Sequence, residues 1–170
     1  GYELWKSDGT ASGTVMVKDI YSGSGSSWPA LRAVVGNTLY FAADDGTNGY
    51  ELWKSDGTAS GTVMVKDINN GSIGYYATDF TAVGSTLYFQ ADDGTHGGEL
   101  WKSDGTTAGT VMVKDITNGS GWNQFHVTAA VGNTLYFQAN DDIHGQELWK
   151  SDGTTSGTVM VKDITNGSSH

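Results

Sequence analysis

The sequence contains no cysteine, and this absence excludes disulfides, thiol nucleophiles and thiolate metal ligands. Proline occurs once, and no apolar run approaches the length of a membrane span. Basic residues are also few, with 9 Lys and Arg against 19 Asp and Glu, giving a net charge of −10. Because such a surface repels a phosphate backbone, we expect no nucleic acid binding, and the lack of a long apolar run leads us to expect no membrane insertion.

Glycine and aromatic residues are what the chain has in quantity. There are 25 glycines among 170 residues, and aromatic residues make up 11% of the sequence. No stretch shows the apolar period of a helix, and the aromatic content differs from that of disordered chains. The composition therefore predicts a folded, turn-rich, all-β protein.

Two phrases recur at an unvarying interval of 48 residues. Glu-Leu-Trp-Lys-Ser-Asp-Gly-Thr begins at Glu3, Glu51, Glu99 and Glu147. Thr-Leu-Tyr-Phe begins at Thr38, Thr86 and Thr134. Such strict spacing indicates recent amplification, or deliberate construction, of one structural unit.

One unit reads as four strands joined by turns. Strands are predicted at 80–83, 86–91, 99–102 and 110–116, and we label them A, B, C and D. Strands B and D are apolar on both faces, unlike a sheet with one wet face. Small sheets covered on both sides and repeated every 40 to 50 residues are typical of β-propeller blades. A β-solenoid and other sandwiches are the alternatives.

The repeated residues resemble a named family. Glu-Leu-Trp-Lys-Ser-Asp-Gly-Thr followed by Gly-Thr-Val-Met-Val-Lys-Asp-Ile is similar to the ELWxxDGT repeat of bacterial surface and secreted proteins. The resemblance implies repeat architecture, an extracellular or cell-surface location and a role in binding. The stretch from Trp5 to Thr10 is more loosely similar to the Asp-box of sialidase-like propellers. It departs from that motif in its spacing and closing aromatic, so sialidase catalysis is not implied.

The repeats predict one array of three and a half units. A half blade of C and D covers 1–26, and full blades cover 27–74, 75–122 and 123–170. Unpaired sheet edges favour association, so we expect a homodimer that closes a ring of about seven blades. The alternative is a fragment, and the start at Gly1 leads us to expect a processed, excised or engineered piece.

The segments that follow each D strand break the repetition and carry aromatic residues among Gly, Ser and Asn. This composition is typical of adaptable binding loops, and the D–A and B–C connections of a meander share one rim. Drift in unconstrained loops is the alternative. The predicted ligand contacts are Trp28, Tyr75, Tyr76, Trp122, Phe125 and His126.

The B–C loops carry clustered carboxylates and two histidines one period apart. Oxygen ligands of this kind suit hard cations, although Asp-Gly is also an ordinary turn. We predict no resident cofactor, with Ca²⁺ as the alternative. The candidate metal ligands are Asp44, Asp45, Asp92, Asp93, His96, Asp141, Asp142 and His144.

Two further sets of repeated residues have two interpretations each, and a third set has one. Trp5 and its copies are either sugar-stacking platforms or packing residues, and their mid-strand position favours packing. Asp8 and its copies either bind calcium or cap turns, and the following glycine favours capping. Lys18-Asp19 and its copies are expected to form a solvated edge of the outermost strand.

No spacing indicates a catalytic constellation, since the carboxylates recur symmetrically. We therefore expect a non-enzymatic extracellular scaffold that binds glycans or proteins through the variable loops on one rim. A purely structural or engineered array without a ligand is the alternative. A glycoside hydrolase is the third hypothesis.

Overall fold

A computed structural model describes residues 1–70, 77–117, 119, 125–164 and 166–167. Every regular element in these ranges is a β-strand, which confirms the all-β prediction, and none of the described residues forms an apolar helix of membrane-spanning length. The strands are β1 (Leu4–Lys6), β2 (Val15–Lys18), β3 (Ala30–Val35), β4 (Thr38–Asp44), β5 (Tyr50–Ser55), β6 (Val63–Lys66), β7 (Thr78–Val83), β8 (Thr86–Asp92), β9 (Gly98–Ser103), β10 (Val111–Lys114), β11 (His126–Val131), β12 (Thr134–Asn140), β13 (Gln146–Ser151) and β14 (Val159–Lys162).

The strands form one hairpin and three four-stranded antiparallel meanders. The hairpin is β1-β2, and the three sheets are β3-β4-β5-β6, β7-β8-β9-β10 and β11-β12-β13-β14. Two-residue turns join the first two strands of each sheet, and Gly36 adopts the φ of 59° that such turns require. The first strands of successive sheets lie side by side, β3 near β7 and β7 near β11.

The fourth strand of each sheet is shorter than predicted. In the second sheet, β10 ends at Lys114, whereas the prediction extended to residue 116. The N–H of Ile116 donates to Oε2 of Glu99 at 2.9 Å. A buried side chain thus replaces the strand ladder as the partner of this backbone group.

Each sheet is apolar on both faces, as predicted. On one face of the second sheet, Phe89 lies opposite Trp101 and Trp101 opposite Met112. We call this face the Phe face and the opposite one, with Tyr88 and its neighbours, the Tyr face. The Phe face packs against the Tyr face of the preceding sheet. The second sheet's own Tyr face packs against the Phe face of the third sheet.

Lysines connect each Tyr face to the next sheet. Lys54 Nζ donates to the carbonyl oxygen of Gly105 at 2.7 Å, and Lys66 Nζ donates to that of Thr110 at 2.8 Å. The ammonium of Lys66 also lies 5.5 Å from the centre of the Trp101 ring. The first hairpin repeats these contacts through Lys6 and Lys18, and the second sheet repeats them through Lys102 and Lys114.

The predicted solvated edge is therefore wrong for the interior copies of this lysine. Lys18, Lys66 and Lys114 are half-buried, because their long side chains reach across to the adjacent turn. Lys162, in the last sheet, is exposed. The position in the array, and not the residue type, decides which role this lysine has.

The turn between the third and fourth strands is capped as predicted. Oδ1 of Asp104 accepts hydrogen bonds from the backbone N–H and the hydroxyl of Thr106, at 2.8 and 2.7 Å. These bonds lower the pKa of the Asp104 carboxyl. Below the cap, the hydroxyl of Thr110 pairs with that of Ser103 and donates to the carbonyl of Thr106, both at 2.7 Å.

We expect Thr110→Val to lower the free energy of unfolding by about 1–3 kcal/mol, because it leaves buried partners unsatisfied. Thr14 is the matched control, since its hydroxyl makes the same two contacts, at 2.7 Å each, but is exposed. Water replaces the lost bonds there, so Thr14→Val should cost less than about 1 kcal/mol. Urea denaturation of both variants measures the difference. Equal losses would contradict the role of burial.

Candidate functional site

A groove of about 1000 Å³ lies beside the first hairpin. Its walls include Tyr2, Trp5, Trp28, Arg32 and Leu39. Tyr50 also lines the groove, which therefore combines four aromatic side chains with a guanidinium. This mixture of apolar surface and a few polar groups is typical of ligand sites.

The groove exists because β1 pairs on one side only. In the sheets, the strand equivalent to β1 is hydrogen-bonded on both sides, as β5 is by β4 and β6. Within the described part of the chain β1 pairs only with β2. Trp5 is 57% exposed because no sheet in the described residues covers its face of the hairpin, whereas its copy Trp53 is 6% exposed beneath the first hairpin.

Two of the aromatic rings stack on each other. The centroids of Tyr2 and Trp28 lie 4.4 Å apart with an interplanar angle of 21°. Both remain accessible, at 66% and 52% of their surface. The backbone of Trp28 has a φ of 45°. Few residues other than Gly, Asn or Asp adopt this left-handed conformation. Backbone strain of this kind is held only where the surroundings fix it.

Hydrogen bonds around Ser27 supply that support. The carbonyl of Tyr2 accepts the N–H of Ser27 at 3.0 Å and the N–H of Trp28 at 3.2 Å. The hydroxyl of Ser27 donates to Oε2 of Glu3 at 2.6 Å, and its carbonyl accepts the N–H of Asp44 at 3.0 Å. Trp28 thus projects from a loop that is anchored to β1 and to the end of β4.

Sequence reasoning gave no role to the glutamate that opens the repeated phrase. Glu51 and Glu99 are almost fully buried, and each accepts the N–H of the residues 17 and 18 positions further on. Burial raises the pKa of Glu51 to about 7, against the opposing effect of these bonds. Burial likewise raises the pKa of Glu99. The sequence feature that could have indicated this role is a glutamate that directly precedes Leu and Trp in every copy of the repeat.

The two predicted sets of loops do meet at one rim in the described residues. The ring of Tyr21, which follows β2, lies against Gly46 in the loop after β4. The side chain of Asn69, which follows β6, lies against Gly94 in the loop after β8. The groove opens where the first of these loops continues to Trp28.

The structure separates the predicted ligand contacts. Trp28 lines the groove, together with Tyr2 and Arg32, which sequence reasoning missed. Phe125 does not fit a ligand contact, because it is 2% exposed and stacks on Phe137 at 4.7 Å. His126 is exposed at the start of β11 and does not line the groove. Three predicted contacts lie outside the described residues: Tyr75, Tyr76 and Trp122.

The candidate metal ligands bond to their own loops. Asp93 accepts the N–H groups of Thr95 and His96 and pairs with Nδ1 of His96 at 2.8 Å. This pairing raises the pKa of the His96 imidazole. Asp45 and Asp141 are placed in the same way, and Asp44 and Asp92 each accept a glycine N–H. Asp142 and His144 belong to the loop that Asp141 caps. Over the described ranges, no three His, Cys, Asp or Glu residues gather into a group able to hold a metal.

We expect the stability of the folded chain to fall as the pH rises from about 4.5 to about 7. The unfolded chain releases the proton of Glu51 near pH 4.5, whereas the folded chain keeps it to about 7. This group then lowers the free energy of unfolding by roughly 1.4 kcal/mol per pH unit. Glu51→Gln should flatten that slope in denaturation measured across this range. His96 and His144 titrate in both proteins, so an unchanged slope would contradict the prediction.

Comparison with known proteins assigns no family to this site. Neither models of protein families nor a search of curated proteins gave a match. The groove itself offers a stacked Tyr2–Trp28 pair, an exposed Trp5 and the guanidinium of Arg32.

Proposed function

We propose that this chain is a non-enzymatic scaffold that binds glycans in the groove beside its first hairpin. The observation that carries the proposal is the exposed stack of Tyr2 and Trp28 facing a cavity of about 1000 Å³. Trp5 adds a third accessible ring. Rigid aromatic rings provide contact area at a low cost in conformational entropy.

The sheets that carry the groove are, in this proposal, blades of a β-propeller-like array. Two features support a radial arrangement. The first strands of successive sheets adjoin one another, and the first two four-stranded sheets are covered on both faces by their neighbours. Blades that converge on their innermost strands pack in this way. The proposal includes membership of the ELWxxDGT repeat proteins and an extracellular or bacterial cell-surface location.

A glycan suits the groove better than an anionic ligand does. The apolar face of a sugar ring can stack on an indole, and its hydroxyls can pair with the donors of Arg32. One of these donors already bonds the carbonyl of Pro29 at 3.0 Å, which fixes the guanidinium at the wall. The net charge of −10 disfavours phosphorylated or nucleic acid ligands.

The carboxylate in the groove supports binding and not hydrolysis. Glu3 accepts hydrogen bonds from the N–H of Ile20, the N–H of Ser27 and the hydroxyl of Ser27. Glycoside hydrolysis needs two carboxyl groups that flank the scissile bond, one of them free to transfer a proton. Glu3 is instead committed to holding the loop that presents Trp28.

We expect Trp28→Ala to weaken binding to any glycan that the unmodified chain recognises on a glycan array. The Kd should rise at least tenfold, because an aromatic hot-spot residue typically carries about 2 kcal/mol or more and about 1.4 kcal/mol corresponds to tenfold. Trp28→Tyr keeps a stacking ring and should retain part of the affinity. Titration calorimetry with the best array glycan measures all three proteins.

Ile143→Ala is the matched control, because Ile143 is 67% exposed and lies outside the groove. It should bind as the unmodified chain does. An array on which the unmodified chain binds no glycan would overturn the proposal. Equal affinities for Trp28→Ala and the unmodified chain would place the binding site elsewhere.

A further inference from the structure

The last sheet ends the array with an uncovered Tyr face. Val113 and Ile116 of the second sheet are 4% and 7% exposed. Their copies in the last sheet, Val161 and Ile164, are 47% and 62% exposed. The residues are identical and only the neighbour differs, so this face is an interface with one side missing.

The first hairpin carries the complementary surface. The hairpin face that corresponds to the Phe face of the sheets exposes 57% of Trp5 and 45% of Met16. In the first four-stranded sheet, the copy Trp53 is only 6% exposed. The turn at Gly9 is open, since a Cβ added there would meet nothing. At the interior copy Gly105, an added Cβ would collide with the hydroxyl of Tyr40 from the preceding sheet.

The spacing of the repeat shows which groups would meet. In the interior, Lys102 Nζ bonds the carbonyl of Gly153, and Lys114 Nζ bonds that of Thr158 and covers Trp149. One period later the corresponding donors belong to the last sheet and the acceptors to the first hairpin. The donors are Lys150 and Lys162, and their counterparts are Gly9, Thr14 and Trp5.

We propose that a second copy of this chain docks head to tail, with the Tyr face of its last sheet against the first hairpin. The contact would repeat one that already occurs between successive units inside the chain. Such a contact is heterologous, so two copies either close a ring or extend into a filament. We propose the ring, a homodimer held by two equal contacts. The dimer contains about seven blade equivalents. The two first hairpins do not have to combine into one blade.

This inference goes beyond the binding function and shares one residue with it, because Trp5 lines the groove and would also face Lys162 of a second copy. The residues that test the two proposals differ: glycan binding is tested at Trp28, and docking at Val161 of the last sheet and at the turn around Gly9. Trp28→Ala should leave the dimer intact, so the failure of one proposal does not entail the failure of the other.

Sedimentation of the 170-residue chain at micromolar concentration tests the docking. The expected result is twice the chain mass of 17.9 kDa. A monomer over the whole concentration range would overturn the contact. Species that keep growing beyond the dimer would overturn the closed ring.

Gly9→Ala and Gly57→Ala form a matched pair that locates the contact. Both glycines have a positive φ, 91° and 85°, and an added Cβ meets nothing at either. The local strain is therefore alike, but only Gly9 would face a tyrosine of a second copy. That tyrosine is Tyr136, the copy of Tyr40 in the last sheet. Gly9→Ala should raise the dimer Kd at least tenfold, and Gly57→Ala should not. Equal effects on the dimer would contradict the proposed contact.

Val161→Asp tests the other side of the contact without touching a turn. An exposed valine can be replaced by aspartate with little effect on the fold, but a charge in the interface should convert the dimer to monomer. Ile143→Asp is the control, because it adds the same charge at an exposed residue of a B–C loop. A dimer that survives Val161→Asp would exclude this face from the contact.

Discussion

Packing of one sheet against the next is the interaction on which the rest of the structure depends. Each sheet is apolar on both faces, and Phe41, Phe89 and Phe137 are fully buried only because a neighbouring unit covers them. Burial of one such side chain contributes about 1.5–3 kcal/mol. Lysines reinforce each contact by reaching across to the carbonyl oxygens of the next turn. A sheet of this kind is stable within an array and would expose a large apolar surface alone.

The buried glutamates connect this packing to the proposed site. A carboxylate in an apolar interior is costly unless hydrogen bonds satisfy it, and each glutamate accepts backbone N–H groups where the fourth strand ends. In the first hairpin the same device is used differently. Glu3 bonds both the N–H and the hydroxyl of Ser27, and so holds the loop from which Trp28 projects. A structural element of the repeat thereby presents a residue that is not repeated.

Much of the fold followed from local patterns. The aromatic and β-branched runs marked the strands, and the aspartate before each glycine marked a capped turn. The groove was harder to predict from the sequence. Trp28 was predicted as a ligand contact because it interrupts a repeat, but Phe125 has the same composition around it and is buried against Phe137. A loop sequence shows that an aromatic residue is present, and not whether a strand will cover it.

The sequence by itself determined the repeating unit, its four strands and the apolar character of both faces, because these depend on the order of neighbouring residues along the chain. Only the tertiary structure decided what each copy does. Trp5 is open where Trp53 is covered, and Lys162 is exposed where Lys114 bridges two sheets. Identical residues differ in this way because burial is a property of the neighbouring sheet, which contributes its surface from 48 residues away.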